Sequence, residues 1–198
     1  MSYLGRKPIK IPSDVTVKKS NNLISIQGPL GTLDRFIHEN VDLTISDTEI
    51  VVNKPFNKKF KPLWATTRSL IVNMIIGVTQ GHSQTLKIVG VGYKAEILNL
   101  KLPKEKNSNL KFDRECQDLK LSLKLGYSHP IYMDIPETVQ QLDLYVKGTI
   151  INIQGLDKEL ISNFAKTIQS FRPPEPYKGK GILYDGEKII RKAGKTGK

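Results

Sequence analysis

One segment of the chain combines residue types and spacing that could grip a polyanion: Arg172-Pro173-Pro174-Glu175-Pro176-Tyr177-Lys178-Gly179-Lys180-Gly181-Ile182. Three prolines stiffen the path, and two glycines then remove Cβ crowding. Lys178 and Lys180 alternate with Gly179 and Gly181, so both ammonium groups can reach phosphate oxygens while the backbone comes close. Tyr177 can stack on a base or hydrogen-bond to a ribose. As composition alone, the segment reads equally well as a helix stop followed by a flexible basic loop.

No other part of the chain offers comparable chemistry. His38, His82 and His129 lie in different elements without a second ligand at metal spacing, so no zinc site is expected. Gly90-Val91-Gly92 lacks the third glycine and following helix of a dinucleotide fingerprint, and reads as a strand that another backbone approaches. There is no Gly-x-x-x-x-Gly-Lys-Ser/Thr phosphate loop and no nucleophile in a recognisable setting. The single cysteine, Cys116, excludes an intrachain disulfide and a paired-cysteine metal site, which suits a reducing compartment. No cofactor, metal or small-molecule substrate is expected, and the chain does not read as an enzyme.

Charge carries the next step. The 198 residues hold 31 Lys and Arg against 19 Asp and Glu, a formal +12. The excess is confined to three stretches: residues 1–19 at +4, residues 54–68 at +5 and residues 172–198 at +5, with the remainder at −2. A solvated face intersperses both signs, whereas single-sign stretches match a phosphate footprint. The middle stretch carries Lys54, Lys58, Lys59, Lys61 and Arg68 without an acid; the last carries Arg191, Lys192 and Lys195 beyond the Lys-Gly repeat. No apolar run approaches the ~20 residues of a membrane span, and MSYLGRKPIKIP resembles neither a signal peptide nor a transit sequence. The expectation is a soluble protein made where it works.

The elements that would position these groups repeat. Ile11-Pro12-Ser13-Asp14-Val15 recurs as Ile135-Pro136-Glu137-Thr138-Val139, and Ile24-Ser25-Ile26-Gln27-Gly28 as Ile151-Asn152-Ile153-Gln154-Gly155. Each block reads as a hairpin with a short polar turn. Downstream, Leu70, Ile71, Met74, Ile75 and Val78 form one helix face, and Leu160, Ile161, Phe164, Ala165 and Ile168 form another at the same spacing. Asp157 can cap the second helix, and Gly77 or Gly81 ends the first. Extra strands are expected around Val41, Leu43 and Ile45 and at Ile50-Val51-Val52. One long strand is expected over 85–97, paired with 119–125. The reading is an α+β chain: two tandem copies of a small antiparallel sheet packed on one helix, with a basic C-terminal tail. The first repeat is placed at 1–81, the second at 82–173 with an insertion at about 99–118, and the RNA-binding loop and tail at 174–198. Alone, the tail from Gly186 should lack a fold of its own.

Residues 173–182 resemble the signature of the L-six family of large-subunit ribosomal proteins. Further similar blocks are Gly5-Arg6-Lys7-Pro8-Ile9, Gly28-Pro29-Leu30-Gly31-Thr32-Leu33, Thr66-Thr67-Arg68-Ser69-Leu70, Gly90-Val91-Gly92-Tyr93-Lys94-Ala95, Leu125-Gly126-Tyr127-Ser128-His129-Pro130 and Arg191-Lys192-Ala193-Gly194-Lys195-Thr196-Gly197-Lys198. The resemblance implies a duplicated α+β fold in the large subunit. It also implies binding to large-subunit rRNA near the sarcin–ricin loop, with neighbouring ribosomal proteins and docking translational GTPases close by. The expected rRNA-binding residues are Arg172, Tyr177, Lys178, Gly179, Lys180, Gly181, Arg191, Lys192 and Lys195, with Lys58, Lys59, Lys61 and Arg68 as a second patch.

Two places depart from the family pattern: Trp64-Ala65, where a His-Gly or similar pair is usual, and the residues around Asn99 to Asp118, which replace a short turn. The Ile-, Asn- and Lys-rich composition suggests a mitochondrial ribosome in the matrix, with the plastid stroma or bacterial cytoplasm as alternatives. Competing classes are a nucleic-acid-modifying enzyme, which would need convergent titratable groups in a cleft, and a free nucleic-acid-binding protein. The latter is weakened because Asp157, Lys158, Glu159 and Lys166 nearly cancel on the second helix.

Overall fold

The structure is a computed structural model that describes residues 3–46, 48–55, 57–100, 118–135 and 143–194. Contacts divide it into two compact units, Met1–His82 with Gly155–Leu160, and Ser83–Gln154 with Ile161–Lys198.

The first unit opens with a short helix α1 (Tyr3–Arg6) and strand β1 (Ile9–Lys10). β2 (Thr16–Ser20) and β3 (Leu23–Gly28) follow as a hairpin closed by Asn21, whose φ of 51° a tight two-residue turn requires. β4 (Gly31–Phe36) completes a β2-β3-β4 sheet, while β5 (Leu43–Ile45) and β6 (Glu49–Val52) form a second sheet in the order β1-β6-β5. A 3-10 turn (Lys58–Phe60) leads into α2 (Lys61–Thr79), which starts without a side-chain cap but with Pro62 pre-set for the first turn. α2 packs on β3, β4 and β6. Its buried residues are Trp64, Ile71, Met74, Ile75, Gly77 and Val78, so Leu70 of the expected stripe lies at the margin. Gly81 closes the helix at φ 75°, its N–H donating to the carbonyls of Ile76 and Gly77.

After the first unit come β7 (His82–Val89), β8 (Lys94–Leu100), β9 (Asp118–Lys124), β10 (Ile131–Asp134), β11 (Asp143–Lys147), β12 (Ile150–Gly155), α3 (Lys158–Phe171) and β13 (Gly181–Tyr184), which belong to the second unit except for His82, Gly155 and Lys158–Leu160. They form two sheets, β10-β9-β8 and β11-β12-β7-β13. The β11-β12 hairpin turns at Gly148, φ 59°, and repeats the first: Ile151 and Ile153 are fully buried, as are Ile24 and Ile26. Asp157 accepts the Glu159 N–H at 2.8 Å, the expected cap. The buried face of α3 is Ile161, Phe164, Ala165, Ile168 and Gln169; Leu160 is exposed, one position outside the expected stripe.

The single long strand expected over 85–97 is two strands. Gly90 bonds through its carbonyl to the Tyr93 N–H at 3.3 Å, and Gly92 takes φ 77°, so the chain turns and changes sheet. β8 then pairs with β9, Ala95 opposite Leu123, up to Leu100 opposite Asp118. Residues 101–117 of the insertion, with Cys116, lie outside the described residues, as do 136–142 of the repeated Ile-Pro block. No helix among the described residues is long and apolar enough to cross a membrane.

Candidate nucleic-acid interface

The loop leaving α3 is fixed by its own backbone. The Glu175 N–H donates to the Lys180 carbonyl at 2.8 Å and the Gly179 N–H to the Glu175 carbonyl at 3.0 Å, which closes a compact turn. Tyr177, 54% exposed, and Lys178 sit on its tip, while Lys180 is half-buried. The two glycines divide their work. Gly179, at φ 70°, leaves room for the Arg191 guanidinium, whose Nη2 lies 3.5 Å from where a Cβ would stand. Gly181, at φ 137°, is pressed against the chain itself: a Cβ there would meet the Pro173 carbonyl oxygen at 2.6 Å. From Gly181 the chain runs as β13 along β7, with Ile182 fully buried, an edge strand that the charge-based reading of the tail overlooked.

Beyond β13 the tail to residue 194 has no helix or strand but is pinned at two points. The Lys192 N–H donates to the Pro176 carbonyl at 2.9 Å, which brings Arg191 and Lys192 onto the loop. The Glu187 carboxylate accepts the Tyr184 N–H at 3.0 Å and the Gln169 side-chain amide at 3.2 Å; Gln169 is buried. Glu187→Ala should therefore cost about 1 kcal/mol and loosen the tail. Faster trypsin cleavage at Lys188 and Arg191, with α3 unchanged by circular dichroism, is the expected result; equal cleavage of both proteins would show that this anchor does not hold.

Two of the segment's three acids, Asp185 and Glu187, are engaged in protein contacts, while Glu175 is exposed on the loop. Asp185 pairs with Lys87, whose ammonium holds the carboxyl below its usual pKa. Glu187 is the tail anchor. Lys178, Lys180, Arg191 and Lys192 form no ion pair among the described residues. Lys195 lies outside them.

Arg172 differs from these. Its guanidinium carbon lies 5.0 Å from the Tyr127 ring centroid and 6.0 Å from that of Tyr93. Tyr127, then Tyr93, raise its pKa, so it stays cationic. Three separate sequence blocks thus meet at the base of the loop: Gly90 to Ala95, Leu125 to Pro130, and the Pro-rich signature. Sequence reasoning named Arg172 but missed both tyrosines.

The second patch lies in the first unit. Lys58 and Lys59 belong to the 3-10 turn and Lys61 opens α2, whose first turn has no acid. Lys59 and Lys61 put positive charge near the positive end of the helix, against its dipole. Arg68 lies two turns on; its Nε donates to the Lys7 carbonyl at 2.9 Å, so it tethers the N-terminal segment as well as carrying charge. Among the described residues no three His, Cys, Asp or Glu side chains gather as a metal site.

The family model described as ribosomal protein L6 matches twice, at residues 11–81 and 115–185, which independently marks the duplication. The large ribosomal subunit protein uL6 of Carboxydothermus hydrogenoformans is 44% identical over 198 residues, covering 100% of this chain and 97% of the relative. That of Dictyoglomus turgidum is 43% identical over 202 residues, at 100% and 99% coverage. That of Picosynechococcus sp. is 42% identical over 199 residues, at 100% and 99%.

Proposed function

Because the chain belongs to the ribosomal protein L6 family, we propose that it is a structural constituent of the large ribosomal subunit that binds large-subunit rRNA through the loop and tail of its second unit. The observation that carries this reading is the set of cations described above: Lys178, Lys180, Arg191 and Lys192 share one surface, while Asp185 is paired with Lys87 and Glu187 anchors the tail. We assign Tyr177, Gly179, Gly181 and Lys195 to the same rRNA contact, and Lys58, Lys59, Lys61 and Arg68 to a second one. We take 1–81 and 82–173 as the two repeats and 174–198 as the rRNA-binding loop and tail. None of the reported relatives is named as an enzyme.

Contact near the sarcin–ricin loop and beside translational GTPases follows from the family resemblance alone. The place of work is the ribosome. The reported relatives are bacterial, which favours a bacterial-type ribosome; the mitochondrial matrix rests on composition and gains no support from them.

Phosphate contacts release counterions, so they set the salt dependence of binding. Replacing Lys178 and Lys180 together by Ala should lower the slope of log K against log salt by about 1–2, with the circular-dichroism spectrum unchanged. An unaltered slope on protein-free large-subunit rRNA would show that these lysines touch no phosphate.

A further inference from the structure

We propose that Arg172 and Tyr127 form a stacking site for an unpaired rRNA nucleobase, and that Arg172 is not a phosphate clamp; this rests on the rRNA-binding reading above. The guanidinium carbon at 5.0 Å from the Tyr127 centroid is within cation–π range, so the two groups already lie together as a pair. Its parts are fixed before any ligand arrives. The Tyr127 hydroxyl donates to the Phe171 carbonyl at 2.9 Å, and the Arg172 carbonyl accepts the Ile182 N–H at 2.9 Å. The Gly126 turn before Tyr127, φ 78°, closes on the Tyr93 ring, 2.7 Å from where a Cβ would stand.

A ring anchored this firmly would be expected in a core, yet Tyr127 is 45% exposed. Being rigid, it can receive a planar ligand with little further loss of side-chain freedom. Phosphate needs no such surface, and the adjacent loop already offers Lys178 and Lys180 to the backbone. Bases splayed out of RNA stack on aromatic rings and on Arg guanidinium planes. The ligand class is therefore an unpaired nucleotide whose base lies on the pair while its flanking phosphates meet the loop lysines. A continuous duplex would present no base face to it.

The two roles separate by experiment. Full-length protein is titrated with protein-free large-subunit rRNA over a range of salt, and the bound complex is subjected to zero-length ultraviolet cross-linking with peptide mapping. Arg172→Lys keeps the charge and loses the plane; Tyr127→Phe keeps the ring and Tyr127→Leu does not. Arg172→Lys and Tyr127→Leu should each weaken binding about ten-fold with the salt slope unchanged. Tyr127→Phe, which loses the anchoring hydroxyl but keeps the ring, should weaken binding less than Tyr127→Leu, and the wild-type cross-link should map to Tyr127. Wild-type affinity in Arg172→Lys, or a reduced slope in Arg172→Gln equal to the whole affinity loss, would overturn the stacking site alone. So would a wild-type complex without a cross-link at Tyr127, a result that does not depend on any variant folding. Absence of salt-dependent binding by the wild type would overturn the rRNA reading itself, and the stacking site with it.

Discussion

Trp64→Ala should cost the first unit about 3–5 kcal/mol, the usual range for deleting a large aromatic from a packed core. Trp64 is 7% exposed, its ring lies 2.7 Å from where a Gly5 Cβ would stand, and its Nε1 donates to the Val52 carbonyl at 2.7 Å. One side chain therefore ties α1, β6 and α2 together. Trp64→Phe keeps most of the apolar volume but leaves a buried carbonyl without its donor, an expected cost of about 1–3 kcal/mol. Stabilities in urea should rank wild type, then Trp64→Phe, then Trp64→Ala. Because this is the chain's single tryptophan, its fluorescence reports the first unit, and circular dichroism follows the variants that lack it. Equal midpoints for wild type and Trp64→Ala would show that the indole is not part of the core.

The same residue shows what the sequence could and could not disclose. Trp64 stood out as a departure from the family pattern, and its type gave no sign that the ring would fill the space above Gly5. The paired hairpins were legible because Ile24 and Ile26, and Ile151 and Ile153, alternate with polar residues and so declare one buried face. Helix faces were legible to within one residue: the periodicity admits both Leu160 and Gln169 at the stripe's edges, and burial of Gln169 depends on Glu187, eighteen positions away. That partnership is tertiary, and no local pattern encodes it.

Strand continuity over 85–97 failed for a related reason. Alternation persists through Gly90-Val91-Gly92, but two glycines permit a turn, and which sheet each half joins depends on β9 and β13 far along the chain. The cationic loop was legible because an excess of like charge concentrated in one short stretch has few structural explanations. Its aromatic base was not, since Tyr93, Tyr127 and Arg172 are brought together only by the fold.

Gly181→Ala should do more harm to rRNA binding than removal of both loop lysines, although it removes no charge. A residue other than glycine held at φ 137° carries strain of about 1–3 kcal/mol. The clash adds to this, because the added Cβ would meet the Pro173 carbonyl oxygen at 2.6 Å and the Pro174 Cα at 2.8 Å, both backbone atoms that cannot rotate away. Relief requires the start of β13 to withdraw from Pro173. That threatens the bond from the Ile182 N–H to the Arg172 carbonyl, and with it the placement of Arg172, Lys178 and Lys180 on one surface. The variant should lower the second unit's urea midpoint and weaken rRNA binding by more than Lys178→Ala with Lys180→Ala. Its salt slope should fall as well, since the cations remain but no longer converge. Hydrogen exchange should localise the damage, with Ile182 and Leu183 losing protection while the β8-β9 pair keeps it. A Gly181→Ala protein with wild-type exchange at Ile182 and wild-type rRNA affinity would show that the loop does not depend on this approach of backbone to backbone.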